Sequence, residues 1–304
     1  MAEIVVMCGL PGAGKSSYAS EHYHDYLYLS SDAIRDELGI TTYTKEDNGI
    51  VFDTMFNNME KAMSEGRSIV FDATSAKRKD RLHLLAKIYK WGFDYTKTLV
   101  WLLVSRDMCI ERDATRPHPV GQEVIDRMYH RFDIPAKYEG WDKIVIEATP
   151  DPQLTEFYKA ADMDHFNQHN SHHTHTLGKH MAETAKYVMT KRPIDVNLAT
   201  AALFHDVGKV KTQSFVNSKG ETTKDAHYYD HHHVGAYDMA LYLYMDGSSR
   251  DIDILDVCDL INMHMDPIIV WPRSKRKFNQ FIALAGKEQM ARVLLLSEAD
   301  SNSR

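Results

Sequence analysis

The segment Gly9-Leu10-Pro11-Gly12-Ala13-Gly14-Lys15-Ser16 directly follows the apolar run Ile4-Val5-Val6-Met7-Cys8. That succession of strand and glycine-rich turn constrains the fold more than any other stretch of the chain. A glycine, four residues, a second glycine, a lysine and a serine make the pattern of a phosphate-binding P-loop. The glycines let the backbone turn sharply and aim its N–H groups at a triphosphate, and a helix starting near Lys15 adds the positive end of its dipole. Lys15 is placed to neutralise the β and γ phosphates and the Ser16 hydroxyl to hold Mg²⁺, with Gly9, Gly12, Ala13, Gly14 and Ser17 completing the cradle. ATP and Mg²⁺ are the implied ligands.

From the start to about residue 150, strand-like runs near 3–8, 26–30, 68–72, 97–104 and 143–147 alternate with helical spacing. This is the pattern of a doubly wound parallel sheet, an α/β fold in which ligands bind beyond the carboxyl ends of the strands. A length of 304 residues and 43% apolar content are sufficient for two cores. The expected division is 1–150 and 151–304, with Thr149-Pro150-Asp151-Pro152 as a linker. A formal net charge of −7 excludes a generally basic nucleic-acid binder, so any such contact rests on local patches. Cys8, Cys109 and Cys258 have no paired spacing, which argues against a disulfide framework or zinc ribbon and fits a reducing cytoplasm. No signal peptide or 18-residue apolar run is visible, so no membrane partner is expected.

Asp32 follows the strand Tyr26–Ser30, and Asp72 closes the strand Ser68–Phe71, so both acids are expected near the triphosphate. In Ser31-Asp32-Ala33-Ile34-Arg35, the acid and the arginine three residues on share a helix face. Asp32 there either orients and deprotonates an acceptor hydroxyl, with Arg35 on an acceptor phosphate, or serves with Ser31 as a helix cap. Farther on, Arg112-Asp113-Ala114-Thr115-Arg116-Pro117-His118-Pro119 breaks a helix that resumes from Gln122, as a lid would. An arginine on such a lid offsets transition-state charge at the γ-phosphate, an effect of order 10³-fold or more in related chemistry. Arg116 is the candidate and Arg112 its partner. Lys77, Arg78, Lys79 and Arg81 begin the helix after Asp72, as either a polynucleotide contact or a solvated basic face.

Over roughly residues 1–140 these motifs resemble the kinase domain of phage-type polynucleotide kinases. The resemblance implies that Asp32 is the general base, that Arg35 contacts the acceptor phosphate, that Asp72 is the later strand-end acid, and that Arg112 and Arg116 are the lid arginines. Ile125-Asp126-Arg127-Met128-Tyr129 is similar as well.

Beyond the linker, eleven of the 17 histidines fall between 165 and 233, a crowding that suggests metal chemistry. His180, then His205-Asp206 in the apolar stretch Ala201–Lys209, read as one continuous helix, then Asp300, resemble the HD-domain phosphohydrolases, all-α helical bundles that bind divalent metal. Burying such a dyad against Leu203, Phe204 and Val207 is costly unless a cation offsets the charge. His231, four residues before Gly235, and His264 extend the set to two metals bridged by Asp206; with one metal they would face substrate phosphate instead. Mn²⁺, Fe²⁺, Ni²⁺ or Co²⁺ suit mixed nitrogen and oxygen ligands, and two such ions assist phosphate-ester hydrolysis. Lys209 either steadies an anion or suits a helix C-terminus. His169, His172, His173 and His175 line a phosphate pocket or decorate a loop, and His232 and His233 are expected to be spectators. The basic stretch Pro272–Lys277 either guides a nucleic-acid backbone or is a solvated loop. Asp300 stands four residues from the end of the sequence, which is compatible with a chain that continues.

Together these features imply a bifunctional end-healing enzyme. It would phosphorylate 5′-hydroxyl ends of RNA or DNA and remove a 3′-phosphate or open a 2′,3′-cyclic phosphate, leaving ends for a separate ligase. The alternative is a kinase of a nucleoside or other small metabolite joined to an HD nucleotide phosphohydrolase.

Overall fold

The computed structural model describes residues 2–170, 174–247 and 251–303, so His172 and His173 lie outside the described residues. The chain forms two compact units. One comprises Met1–Ile125 with Gly140–Thr149, and the other Asp126–Glu139 with Pro150–Arg304.

In the first unit the elements run β1 (Glu3–Cys8), α1 (Lys15–His22), β2 (Leu27–Ser30), α2 (Ser31–Glu37), α3 (Lys45–Ser64), β3 (Ile69–Asp72), α4 (Arg78–Trp91), β4 (Thr96–Leu103) and α5 (Arg106–Ala114), then α6 (Gln122–Tyr129), whose residues from Asp126 on belong to the second unit, and β5 (Lys143–Ala148) back in the first. The five strands are parallel in the order β2-β3-β1-β4-β5. β1 and β4 are central, and their near-unbroken apolar runs are buried on both faces, as a sheet covered by helices requires. Each expected strand is present within about two residues. The loop after β1 therefore opens at the carboxyl end of the sheet's middle strand, where chain crossovers leave a crevice.

The second unit contains α7 (Pro152–Ala160), α8 (Leu177–Lys191), α9 (Val196–Phe204), α10 (Lys209–Thr212), β6 (Gln213–Val216), β7 (Thr222–Tyr228), α11 (His231–Asp246), α12 (Ile254–Met263), α13 (Asp266–Ile269) and α14 (Lys275–Asn302). Its core is made by Leu177, Val188, Leu198, Ala201, Val234, Tyr237, Leu260, Ile261, Val293 and Leu296, all inaccessible to solvent. α14 bends at Gly286, whose φ of 84° and ψ of 168° interrupt the helix.

The structure revises several local readings. The supposed linker is already the start of α7: Asp151 accepts hydrogen bonds from Gln153 and Leu154 N–H groups, and Pro152 takes the first helical position. Helix α9 ends at Phe204, so the His205-Asp206 dyad lies in the turn beyond it rather than inside a helix. Leu203 is 41% exposed and does not cover the dyad. Helical though this half is, β6 and β7 form an antiparallel hairpin that the sequence reading did not identify. The signal was Asn217-Ser218-Lys219-Gly220, where the Asn217 side chain accepts from the Lys219 and Glu221 N–H groups.

Candidate phosphate-transfer and metal sites

The P-loop is held by close backbone approach. Gly12 has φ of 81°, and a Cβ there would stand 2.3 Å from the Cys109 carbonyl of α5, so only glycine allows this packing. Lys15 Nζ donates to the carbonyls of Gly9 and Leu10 at 3.2 and 2.9 Å, which keeps the ammonium over the loop. Gly14 precedes α1 as its N-cap, and Ala13 is buried beneath the turn. Ser16 and Ser17 are exposed in the first turn of α1. Ser16 Oγ donates to Asp72 Oδ2 at 3.0 Å, and Tyr28 OH donates to the same oxygen in a short hydrogen bond. The strand-end acid and the P-loop serine are thus neighbours, an oxygen-rich pair suited to Mg²⁺. Burial and the Asp72 charge push the Tyr28 hydroxyl up to about 12, so it remains a donor. Tyr28 was missed in the sequence reading because nothing in the strand pattern marks its hydroxyl.

Ser30, not Ser31 or Asp32, caps α2, accepting from the Ala33 N–H. The Asp32 carboxylate is therefore spared that duty; it is 66% exposed and lies 3.5 Å from Arg116 Nη2. Arg116 Nη1 also reaches Asp113 at 3.2 Å. Buried Asp113 accepts from the Val120 and Gly121 N–H groups and so closes the proline-containing turn between α5 and α6. Arg112 stands half-buried in the last turn of α5.

Two arginines are employed otherwise than expected. Arg35 is 5% exposed and donates to the Thr42 carbonyl at 2.6 Å and to Asn48 Oδ1 at 2.5 Å, so its guanidinium holds the loop after α2. Arg81 is 1% exposed and donates to the Ser75 carbonyl, which removes it from any surface patch.

In the second unit, six side chains from five parts of the chain converge. His180 comes from α8, His205 and Asp206 from the turn after α9, His231 from the start of α11, His264 from the end of α12, and Asp300 from α14. All six are buried. Asp206 Oδ2 lies 3.2 Å from His180 Nε2 and 3.4 Å from His205 Nε2, and Asp300 Oδ1 lies 3.3 Å from His180 Nε2. The other carboxylate oxygen, Asp206 Oδ1, lies 3.1 Å from His231 Nε2 and 3.7 Å from His264 Nε2. One carboxylate thereby faces two clusters, one holding His180, His205 and Asp300 and the other His231 and His264.

The tautomers follow from the second nitrogen of each ring. The Nδ1 atoms of His180, His205, His231 and His264 donate to the carbonyls of Ser303, Ala202, Tyr228 and Ile261 at 2.7–3.0 Å. Carbonyls only accept, so each Nδ1 carries a hydrogen and each Nε2 is left as the inward atom. The facing pairs, His180–His205 at 3.2 Å and His231–His264 at 3.3 Å, can each share one proton at most. Ligands about 2.1 Å from a common ion stand roughly 3.0–3.4 Å apart, so these spacings suit divalent cations on both sides of Asp206. The donor set therefore fits a metal pair.

The electrostatics agree. Burial, together with His205 and His231, pushes His264 down to about 3, which keeps it a neutral donor. Burial works against charge on His205 as well, but Asp206 and Asp300 hold it up to about 10. Burial also opposes ionisation of Asp206, yet Lys209 and His205 keep its carboxyl well below the usual range.

Lys209 begins α10 rather than ending a helix. Its Nζ lies 2.6 Å from Asp206 Oδ2 and donates to Gln168 Oε1 at 2.8 Å. Gln168, 2% exposed, also donates from Nε2 to the His175 carbonyl, while its own carbonyl accepts from Tyr228 OH. No local pattern in the sequence marks Gln168. His169 is exposed with its ring against Phe215, and His175 is half-buried. His233 Nδ1 contacts the Phe132 carbonyl at 3.1 Å, and buried His232 is pushed well below its ordinary value by burial and neighbouring histidines. Arg273, Lys275, Arg276 and Lys277 are exposed.

Comparison with known proteins accords with this division. A family profile described as AAA domain matches residues 4–135, and one described as HD domain matches residues 171–304. The L-seryl-tRNA(Sec) kinase of Methanococcus maripaludis is 24% identical over 158 residues, 48% of this chain and 59% of that protein. The chain thus spans less than two thirds of that relative's length. Among solved structures, a protein provisionally described as a kinase from Chloroflexus aurantiacus aligns over 50% of this chain and 87% of its own, at 17% identity and a TM-score of 0.39. A Deinococcus radiodurans tunicamycin resistance protein aligns over 42% and 78%, at 12% identity and a TM-score of 0.32. No helix among the described residues is long and apolar enough to cross a membrane. The chain thus joins an N-terminal P-loop unit built on a five-stranded parallel sheet, matching the AAA domain profile, to a C-terminal helical region that matches the HD domain profile.

Proposed function

We propose that the first unit transfers the γ-phosphate of ATP to a 5′-hydroxyl end of RNA or DNA, and that the second hydrolyses a 3′-phosphate or 2′,3′-cyclic phosphate. The observation that carries this reading is the pairing in one chain of Ser16 with Asp72 under a P-loop and of two histidine clusters about Asp206. Asp32 takes the acceptor proton as the new O–P bond forms and the bond to the β-phosphate breaks. Arg116, beside Asp32, offsets charge on the transferred group. In the HD unit, His180, His205, Asp206, His231, His264 and Asp300 hold the metals, which when bound polarise the phosphate ester as Lewis acids. Lys209, with Nζ 2.6 Å from Asp206 Oδ2, adds a cationic side chain beside the carboxylate that faces both clusters. A separate ligase would seal the corrected ends.

The similarity to a seryl-tRNA(Sec) kinase favours a second reading of the kinase half, in which the acceptor hydroxyl is carried on a tRNA. A short RNA with a 5′-hydroxyl and a 3′-phosphate, incubated with ATP, Mg²⁺ and Mn²⁺ and followed by mass at both ends, tests the proposal. Gain of phosphate at the 5′ end and loss at the 3′ end is the expected result. If the ends stay unchanged while ATP turns over with seryl-tRNA or with free nucleosides, end healing is wrong and the tRNA or metabolite reading replaces it.

A further inference from the structure

The loop after α2 is built with more care than a connection requires, and it presents an aromatic ring to solvent. Tyr43 is 65% exposed. Its inner face lies on the Arg35 guanidinium, with Cζ 4.2 Å from the ring centroid. Arg35 itself is buried and fixed at both ends of its fork, on the Thr42 carbonyl and on Asn48 Oδ1. Asn48 Nδ2 then donates to the Tyr43 carbonyl at 3.1 Å. Thr44 caps α3 in a reciprocal capping box with Asp47, whose carboxylate also accepts from the Thr42 hydroxyl. Main chain and ring are thus both held, and the outer ring face is left open. A rigid ring backed on one face by a cation and open to solvent on the other is a ready stacking surface.

Its position gives the surface a use. Asp32 and Arg35 are three residues apart on α2 and so are neighbours on its surface. The Tyr43 ring is therefore within roughly 15 Å of Asp32, counting one helical step and the length of the arginine side chain. One or two nucleotides span that distance. Stacking tolerates any base because every base has a π-face.

We infer that Tyr43 is a stacking site for a nucleobase at the hydroxyl end of the phosphate acceptor, presented by Arg35, which acts through the ring instead of gripping a phosphate. This rests on the kinase reading above and narrows it to acceptors that carry bases near the reacting hydroxyl.

The test compares Tyr43→Ala and Tyr43→Phe with the native protein on two acceptors of equal length and charge. One is a 5′-hydroxyl oligonucleotide, and the other is the same strand with its first two nucleotides abasic. KM and kcat are measured for each acceptor and for ATP. Tyr43→Ala is expected to raise KM for the base-bearing strand about tenfold or more, with little change for the abasic strand or for ATP. Tyr43→Phe, which keeps the ring, is expected to behave as the native protein. Equal loss on both acceptors would mean that Tyr43 only supports the loop, and an unchanged KM would remove the site. A rise in KM for ATP instead would assign the ring to the donor's adenine and overturn the acceptor assignment. If the native protein phosphorylates neither strand, the polynucleotide-kinase reading itself falls and takes the inference with it. Melting curves of both variants separate loss of the ring from loss of the fold.

Discussion

At the scale of single residues, the candidate metal centre is a matter of where protons reside. Four Nδ1–H groups are committed to carbonyls, so the inward Nε2 atoms and two carboxylates must accommodate either protons or cations. Without metal, His205 keeps a proton up to about pH 10, because Asp206 and Asp300 outweigh the cost of burying the charge. Its folded value lies above the ordinary one, so at neutral pH the proton is present and metal must displace it. Mn²⁺ binding is therefore expected to release at least one proton, and apparent affinity to fall about tenfold per pH unit on acidification for each proton displaced. Calorimetric titration in buffers of different ionisation heat measures that number. A heat independent of buffer would show that the ligands are already deprotonated. The six converging side chains were legible in the sequence as a candidate set because imidazole and carboxylate are rare together in apolar surroundings. Gln168 was not, since its meaning lies in contacts with Lys209, His175 and Tyr228, which no spacing announces.

At the scale of elements, the His-Asp turn functions only if α10 and α11 approach closely. Gly208 and Gly235 make that approach possible: a Cβ on Gly208 would stand 2.1 Å from the His231 carbonyl and 2.6 Å from the Gly235 nitrogen. His231, the first residue of α11, could not otherwise bring Nε2 to within 3.1 Å of Asp206. Gly208→Ala is expected to push the two elements apart, lower stability by about 1–3 kcal/mol as overpacking does, and reduce bound Mn²⁺ and hydrolysis by tenfold or more. Phosphorylation by the same variant serves as the control, since the P-loop lies in the other unit. A metal content equal to that of the native protein would show that the turn tolerates the methyl group. Ala201, Ala202, Leu203, Phe204 and Val207 are apolar on both sides of the dyad, and that pattern alone reads as one long helix running through it. The chain instead stops α9 at Phe204 so that His205 can reach back to the Ala202 carbonyl, a choice that local periodicity does not reveal.

At the scale of the whole molecule, the order of the two chemistries along the chain was legible from the P-loop at one end and the histidines at the other. The composition of the units was less so. A Pro-Asp-Pro sequence at 150–152 suggests a boundary, yet the second unit also includes Asp126–Glu139. Tyr129 and Phe132 stack edgewise on Tyr237 at 5.5 and 4.9 Å, and Tyr138 OH donates to Asp259 at 2.7 Å. The partners are more than 100 residues away, so no local pattern could show this packing. Its energetic weight follows from burial: Tyr129, Phe132 and Ile134 are at most 2% exposed, and each buried side chain of this kind contributes about 2 kcal/mol. Their sum, roughly 6 kcal/mol, is comparable with the whole stability of many domains, about 5–15 kcal/mol. A fragment of residues 150–304 is therefore expected to lack a cooperative thermal transition, and one of residues 126–304 to melt cooperatively and bind Mn²⁺. Calorimetry of the two fragments decides the matter: a cooperative melt of 150–304 at the temperature of the longer fragment would show that the segment rests on the HD unit without supporting it.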